Sequence, residues 1–314
     1  MIQFSFVVPI YNDASLAADF CTEFQATFSN YLKKDDINED VELIFVNDGS
    51  TNDSIHILKL LPSTFQFVRI IDLSRNFGQH IALSCGYQHC KGSYVGMLNV
   101  DMQDPPNQIP LLIDHMKINE LDIVFGLRNF RDDSWIDKTT SKIFNYTLNK
   151  LTGYEAPLNT TTLRIMNRKF VDAYNSLTEK SRYIPGLEAW IGFKHGYLPT
   201  THQKRKSGKS SYNFRKRIRM ALDSIISFSD LPLKLIAYFG IAIAIIGFLL
   251  NIFLFISKLF FINYKAGYTS TVSIIIFIGG IQILVIGLAA LYIGRILKEV
   301  QNRPLYIIND KYNF

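Results

Sequence analysis

Three cysteines in 314 residues are too few for a disulfide scaffold, and Cys21, Cys85 and Cys90 form no Cys-x-x-Cys pair that would hold a structural zinc ion. The soluble part of the chain is therefore expected in the reducing cytosol. The six histidines, His80, His195 and His202 among them, lack a spacing such as His-Glu-x-x-His and are expected to be structural or surface groups. No Ser-His-Asp set and no isolated carboxylate pair marks a nucleophilic or acid–base engine. Residues 1–12 carry no basic segment ahead of an apolar one and read directly as a strand, so no signal peptide is expected. Acid is missing altogether from residues 204–219, which hold eight Lys and Arg and no Asp or Glu. The chain has 33 basic and 27 acidic residues, net +6, so this one segment accounts for the whole excess. A nucleic-acid binder spreads basic and aromatic groups over a folded face, so no nucleic acid is expected; something anionic is met locally.

The 48% of hydrophobic residues suffices for a large core, but part of it is concentrated. Residues 235–256 and 272–293 are each 22 residues without a charge, long enough to span ~30 Å of hydrocarbon. Two transmembrane helices are expected. The linker between them holds only Lys258 and Lys265, whereas cations crowd residues 204–234 and recur at Arg295, Lys298, Arg303 and Lys311, which places both termini in the cytoplasm. Ile218, Ala221, Leu222, Ile225 and Ile226 repeat with helical spacing beside Arg215–Arg219, as in an amphipathic helix lying in the membrane interface or an ordinary helix packed on the domain. The layout is then a cytosolic domain over 1–212, an interfacial helix over 213–230, a transmembrane hairpin over 231–296 and a cytosolic tail over 297–314. Gly279, Gly280, Gly287 and Gly294 offer small surfaces for helix contact.

Residues 1 to about 200 alternate between two patterns. Apolar runs at 4–10, 41–46, 67–73, 94–100 and 122–125 read as strands, and 16–32, 54–61, 79–90 and 109–116 have helical spacing. Such alternation gives an α/β domain with a mostly parallel sheet, helices on both faces and ligands at the carboxyl ends of the strands. Polar clusters sit in those places. Pro9-Ile10-Tyr11-Asn12-Asp13 follows the first run, and Asn47-Asp48-Gly49-Ser50-Thr51 the second, where Asp-Gly makes a tight turn that on its own is as readily structural. Ser74-Arg75-Asn76-Phe77-Gly78 follows the third. After the fourth, Asn99-Val100-Asp101-Met102-Gln103-Asp104 offers oxygen ligands to a hard divalent cation, which in turn can hold a diphosphate.

In this order, these four clusters resemble glycosyltransferase family 2 with its GT-A (Rossmann-like) fold. Residues 205–213, Ser227-Phe228-Ser229, the two apolar spans and Asn302-Arg303-Pro304-Leu305-Tyr306 are further similar to bacterial polyisoprenyl-phosphate glycosyltransferases, relatives of dolichol-phosphate mannose synthase. The resemblance implies that Asp101 and Gln103 bind Mg2+ or Mn2+, and that Pro9, Tyr11, Asp13, Asp48, Arg75, Asn76 and Asn99 bind the nucleotide. It also implies an inverting transfer of sugar from a UDP- or GDP-sugar to undecaprenyl or another polyisoprenyl phosphate at the bacterial inner membrane, and a tetramer by analogy. Two departures stand out. Asn99 replaces the family's first Asp of the Asp-x-Asp motif, and Thr160-Thr161-Thr162-Leu163-Arg164 replaces Thr-Gly-Asp/Ser-Phe-Arg; Asn47 is a milder change of the same kind.

A phosphomonoester has its second pKa near ~6, so the acceptor is already an anionic nucleophile and needs no strong base. The site must instead neutralise the leaving diphosphate, for which Asp101 with its metal, Arg128 after the fifth strand, and Arg164 are the catalytic candidates. The acceptor phosphate lies at the membrane surface, where Arg205, Ser207, Lys209 and Tyr212 are expected to meet it; adhesion to anionic lipid is the alternative role of that segment. Two other readings remain: a processive polysaccharide synthase, which would need more spans and a Gln-x-x-Arg-Trp signature that is missing, and a catalytically weakened nucleotide-sugar-binding membrane module.

Overall fold

The computed structural model describes residues 2–128, 160–180, 182–201 and 268–314, with isolated helical positions between 238 and 256. The chain forms two compact units, Met1–Lys216 with Pro304–Phe314, and Arg217–Arg303.

In the first unit, β1 (Phe4–Ile10), α1 (Ala17–Leu32), β2 (Val41–Asn47), α2 (Ser54–Leu60), β3 (Val68–Leu73), α3 (Gln79–His89), β4 (Tyr94–Met97), α4 (Ile109–Ile118) and β5 (Ile123–Arg128) follow the alternation expected from the sequence. They are joined by β6 (Thr160–Asn167), α5 (Arg168–Ser176), α6 (Ile184–Ile191), β7 (His195–Thr200) and β8 (Ile308–Tyr312). The sheet runs β7-β5-β6-β4-β1-β2-β3-β8. Pairing is parallel within β4-β1-β2-β3 and between β5 and β7; β6 is antiparallel to both β4 and β5, and β8 is antiparallel to β3. This is a GT-A-like α/β sheet, parallel at its centre.

Alternation along β1 builds the two layers. Phe4, Phe6 and Val8 face one side, where Phe20, Phe24 and Phe28 of α1 recur with helical spacing and pack in the same core, Phe24 edge-on to Phe6 at 5.2 Å and Phe28 tilted against Phe4 at 5.6 Å between ring centres. Ile109, Leu112 and Ile113 of α4 join the same core. Val7 points the other way, against α3, where a Cβ on Gly86 would lie 2.2 Å from its Cγ1; this glycine lets the helix approach the sheet. Helices on both faces leave the carboxyl ends of β1 to β4 as the open rim.

β4 ends at Met97 and not at 100, because the chain bends there: Leu98 still donates to Val7 O at 3.1 Å, and residues 99–104 then turn across the rim. In the second unit, α7 (Tyr268–Val300) is longer than the 272–293 stretch, and Ile281–Val300 is long and apolar enough to cross a membrane. The interfacial helix expected over 213–230 and the connecting segment after 256 lie outside the described residues; of the 235–256 span, only isolated positions are described. Tyr238, Ile245, Leu249 and Ile252 among them are helical with exposed side chains.

Candidate active site at the carboxyl rim of the sheet

The strands β1 and β2 end side by side, Ile10 opposite Asn47, which brings their two polar clusters together. Asn12, held at a positive φ of 57°, donates its backbone N–H to Ser50 Oγ at 2.9 Å and accepts from Thr51 N at 2.8 Å through its side chain. Tyr11 is half exposed and Asp13 is exposed, so both project to solvent from this corner. Pro9 lies within β1, in register with Val46.

Asn47 is buried with its amide donating to Asp72 Oδ1 at 2.6 Å and its carbonyl oxygen accepting from Ser50 Oγ at 2.5 Å. An aspartate there would face a second carboxylate, so the amide is fitted to its neighbour. Asp48, also buried, accepts from Phe77 N at 2.7 Å and Gly78 N at 2.9 Å, one on each oxygen. Burial pushes its carboxyl above the ordinary value, and the two amides pull it back. One lone pair on each oxygen remains for a ligand. Arg75 and Asn76, in the loop that Asp48 ties down, are exposed, and the Arg75 guanidinium lies 4.4 Å over the Phe77 ring.

Gly49 locks these two loops together. Its φ is +61°, and a Cβ would lie 2.2 Å from the Arg75 carbonyl carbon and 2.5 Å from Asn76 N. Gly49→Ala therefore combines left-handed strain with a backbone clash, and is expected to lower stability by about 1–3 kcal/mol. Thermal unfolding checks this; an unchanged Tm would mean the loops are not held as described.

Beyond β4, Asp101 is buried and its Oδ1 accepts from Gln103 N at 3.2 Å, with Met102 between them at φ 58°. Carboxylate and amide oxygens suit a hard divalent cation. Among the described residues no group of three or more His, Cys, Asp or Glu gathers that could hold a metal, and the donors of this turn are the Asp101 carboxylate and the Gln103 amide oxygen. Asn99 does not point its amide away: Nδ2 donates to Thr162 Oγ1 at 3.1 Å, and Thr162 Oγ1 donates to the buried Asp104 Oδ2 at 2.9 Å.

Arg164 is on β6, buried, with Nη1 paired to Glu188 Oε2 of α6 and Nε donating to Thr162 O at 3.2 Å. Its charge is thus met inside the domain by a carboxylate that the sequence did not single out. Burial pushes the Glu188 carboxyl up and the guanidinium holds it down. Arg128 closes β5 in register with Thr200. Arg205, Ser207, Lys209 and Tyr212 lie outside the described residues. Sequence reading missed Asp72 and Glu188, and it noted Asp104 and Thr162 without the bond between them; continuing the β4–β6 register sets Thr162 opposite Asn99.

His80, at the start of α3, has an Nδ1 without a hydrogen-bond partner, and burial followed by the Arg164 charge lowers its pKa to about 4. The unfolded chain takes up this proton near pH 6.5 and the folded chain does not, so stability falls as pH drops from 7 towards 4. At pH 5 the loss is about 2 kcal/mol. His80→Gln should flatten the acid limb of a Tm-against-pH curve; parallel curves for the two proteins would refute the assignment.

A family model described as Glycosyl transferase family 2 matches residues 5–174, from β1 into α5. The uncharacterized glycosyltransferase YkcC of Bacillus subtilis (strain 168) is 34% identical over 312 residues, 99% of this chain and 94% of its own length. The SfII prophage-derived bactoprenol glucosyl transferase of Shigella flexneri is 33% identical over 315 residues, covering 99% of each chain. The prophage bactoprenol glucosyl transferase homolog of Escherichia coli (strain K12) is 30% identical over 311 residues, 98% of each. These similarities extend past the matched domain through the apolar segments.

Proposed function

Because the chain belongs to glycosyl transferase family 2 and is a glycosyltransferase, we propose that it moves a sugar from a nucleotide sugar to a polyprenyl phosphate in the membrane. The observation that carries this reading is the end-to-end similarity, 99% of each chain, to a relative named for bactoprenol. A phosphate oxygen of the acceptor forms the bond to the anomeric carbon. The bond from that carbon to the nucleotide diphosphate breaks, its electron pair leaves with the diphosphate, and a single displacement inverts the centre.

Asp48, Tyr11, Asp13, Arg75 and Asn76 surround the place for the nucleoside. Asp101 and Gln103 would hold Mg2+ or Mn2+, and this group would supply positive charge to the leaving diphosphate. Arg128 adds a cation from the end of β5, and Arg205, Ser207, Lys209 and Tyr212 receive the acceptor phosphate. No protein base is required, since the acceptor is ionised at neutral pH. Arg164, paired with Glu188, positions β6 without meeting the diphosphate itself.

Chain parity supports a two-crossing anchor. The chain leaves the sheet after Thr200 and returns to it at Ile308, so any crossings in between must be even in number. With α7 as one crossing, the second falls within 202–267, and the charge-free 235–256 stretch is the segment for it. The catalytic domain and both ends of this sequence then share the cytoplasmic side, where the basic 204–219 run meets anionic headgroups.

The test is transfer of labelled sugar from a panel of UDP- and GDP-sugars into the organic phase, with undecaprenyl phosphate and Mn2+ or Mg2+. One donor should label the lipid, and Asp101→Ala or a chelator should reduce the rate by roughly 100-fold or more. If nucleotide binds but no donor labels the lipid, a binding module replaces this reading.

A further inference from the structure

The two places where the sequence departs from the pattern it resembles touch each other. β4 and β6 pair antiparallel with Met97 opposite Arg164, and the same register carried two residues further sets Asn99 opposite Thr162. There Asn99 Nδ2 donates to Thr162 Oγ1 at 3.1 Å, and Thr162 Oγ1 donates its proton to Asp104 Oδ2 at 2.9 Å. A threonine hydroxyl has one proton and two lone pairs, so the direction of this chain is fixed: amide to hydroxyl to carboxylate. Residues 99 and 104 are the two ends of the turn that presents Asp101 and Gln103. One hydroxyl on β6 staples both ends.

We propose that Asn99 and Thr162 are matched positioning residues that hold the Asp101–Gln103 turn through Asp104, and that residue 99 must be an amide donor for the turn to bind its metal and diphosphate. Asn99 is then not a ligand lost. An aspartate at 99 can only accept, and the one hydroxyl proton of Thr162 is already donated in a hydrogen bond to Asp104, 3% exposed. Two carboxylates would compete for one proton, and the staple would open. Asn47 shows the same fitting on the neighbouring rim loop, its amide donating to Asp72.

The inference rests on the nucleotide-sugar reading for what the turn binds, and the experiment separates the two. In full-length protein, Mn2+ affinity in the presence of UDP or GDP is measured by calorimetry, alongside transfer rate, for Asn99→Asp, Asn99→Ala, Thr162→Val and Thr162→Ser. Thr162→Val and both Asn99 variants should weaken Mn2+–nucleotide binding about tenfold or more, while Thr162→Ser stays within about threefold of the parent. Tighter Mn2+ binding or faster transfer in Asn99→Asp overturns the proposal, because residue 99 would then be a vacated ligand position. So does a Thr162→Ser variant as weak as Thr162→Val. A readout without ligand covers the case in which no nucleotide binds and the function reading itself fails. Asn99→Ala and Thr162→Val delete the same chain, so the Tm drop of the double variant should match the larger single drop; additive drops refute the staple.

Discussion

Glu188→Ala will lower the stability of the domain by about 3–5 kcal/mol, because it strands a buried cation. Arg164 is 6% exposed and its guanidinium stays charged at any accessible pH, so it has no protonation route out of the penalty. Without Glu188 its Nε still has Thr162 O, but no carboxylate remains against Nη1. Glu188→Gln keeps an acceptor of the same shape and should lose less. The informative control is the double variant Arg164→Met with Glu188→Leu, which removes both charges and should recover most of the stability, as apolar replacement of a buried pair commonly does. Urea unfolding of the detergent-solubilised protein reads all three. A midpoint for Glu188→Ala equal to that of the parent would show that the pair is solvated in solution and has no structural weight.

The second large effect is expected from ending the chain after Arg303. That removes β8 and with it the antiparallel ladder on β3, the bonds from Asn313 Nδ2 to Gln66 O at 2.9 Å and Val68 O at 2.7 Å, and the bond from Ser74 N to Ile307 O. Lys59 loses the Tyr312 ring, 4.6 Å away, and Arg69 loses Phe314. At about 0.5–1.5 kcal/mol for each hydrogen bond the total exceeds about 3 kcal/mol, or a fall in Tm of roughly 6–12 °C for a domain of this size. The bared edge of β3 should also promote aggregation. The loss reaches the candidate site, because Asn309 donates to Asp72 Oδ2 at 3.0 Å while Asp72 Oδ1 accepts from Asn47 in the rim corner proposed for the nucleotide. Nucleotide affinity should therefore fall together with Tm. A truncated protein that melts and binds like the parent would show that β8 is dispensable.

Legibility in the sequence followed burial. Strands β1 to β3, largely buried, stand out as mainly apolar runs, broken by Glu42, Arg69 and Asp72, with punctuating turns, and the carboxyl-end rule then pointed to the rim. β6 was missed because it opens on three threonines, whose β-branched shape suits a strand but whose hydroxyls hide the apolar period. β7 carries a Gly and a Pro, and β8, an edge strand, has the polar sequence Ile-Asn-Asp-Lys-Tyr. The rim positions of Asp48, Asp101 and Gln103 could be anticipated because each lies in a short polar turn directly after a strand-like run. Arg164 was legible as a residue but not in its setting: its partner is 24 positions away on α6, and only the packing of that helix discloses it. Asn99 read as a missing charge because its partner lies on an unrecognised strand.

Strand β8 also fixes an order of events during synthesis. The edge of β3 waits uncovered while residues 201 to 307 are translated, and the sheet is complete only when residues 308–312 pair with it. Until then the Asn309 contact to Asp72, which in turn holds Asn47, is missing. The rim loop that this strand braces is therefore finished only after helix α7 has been made.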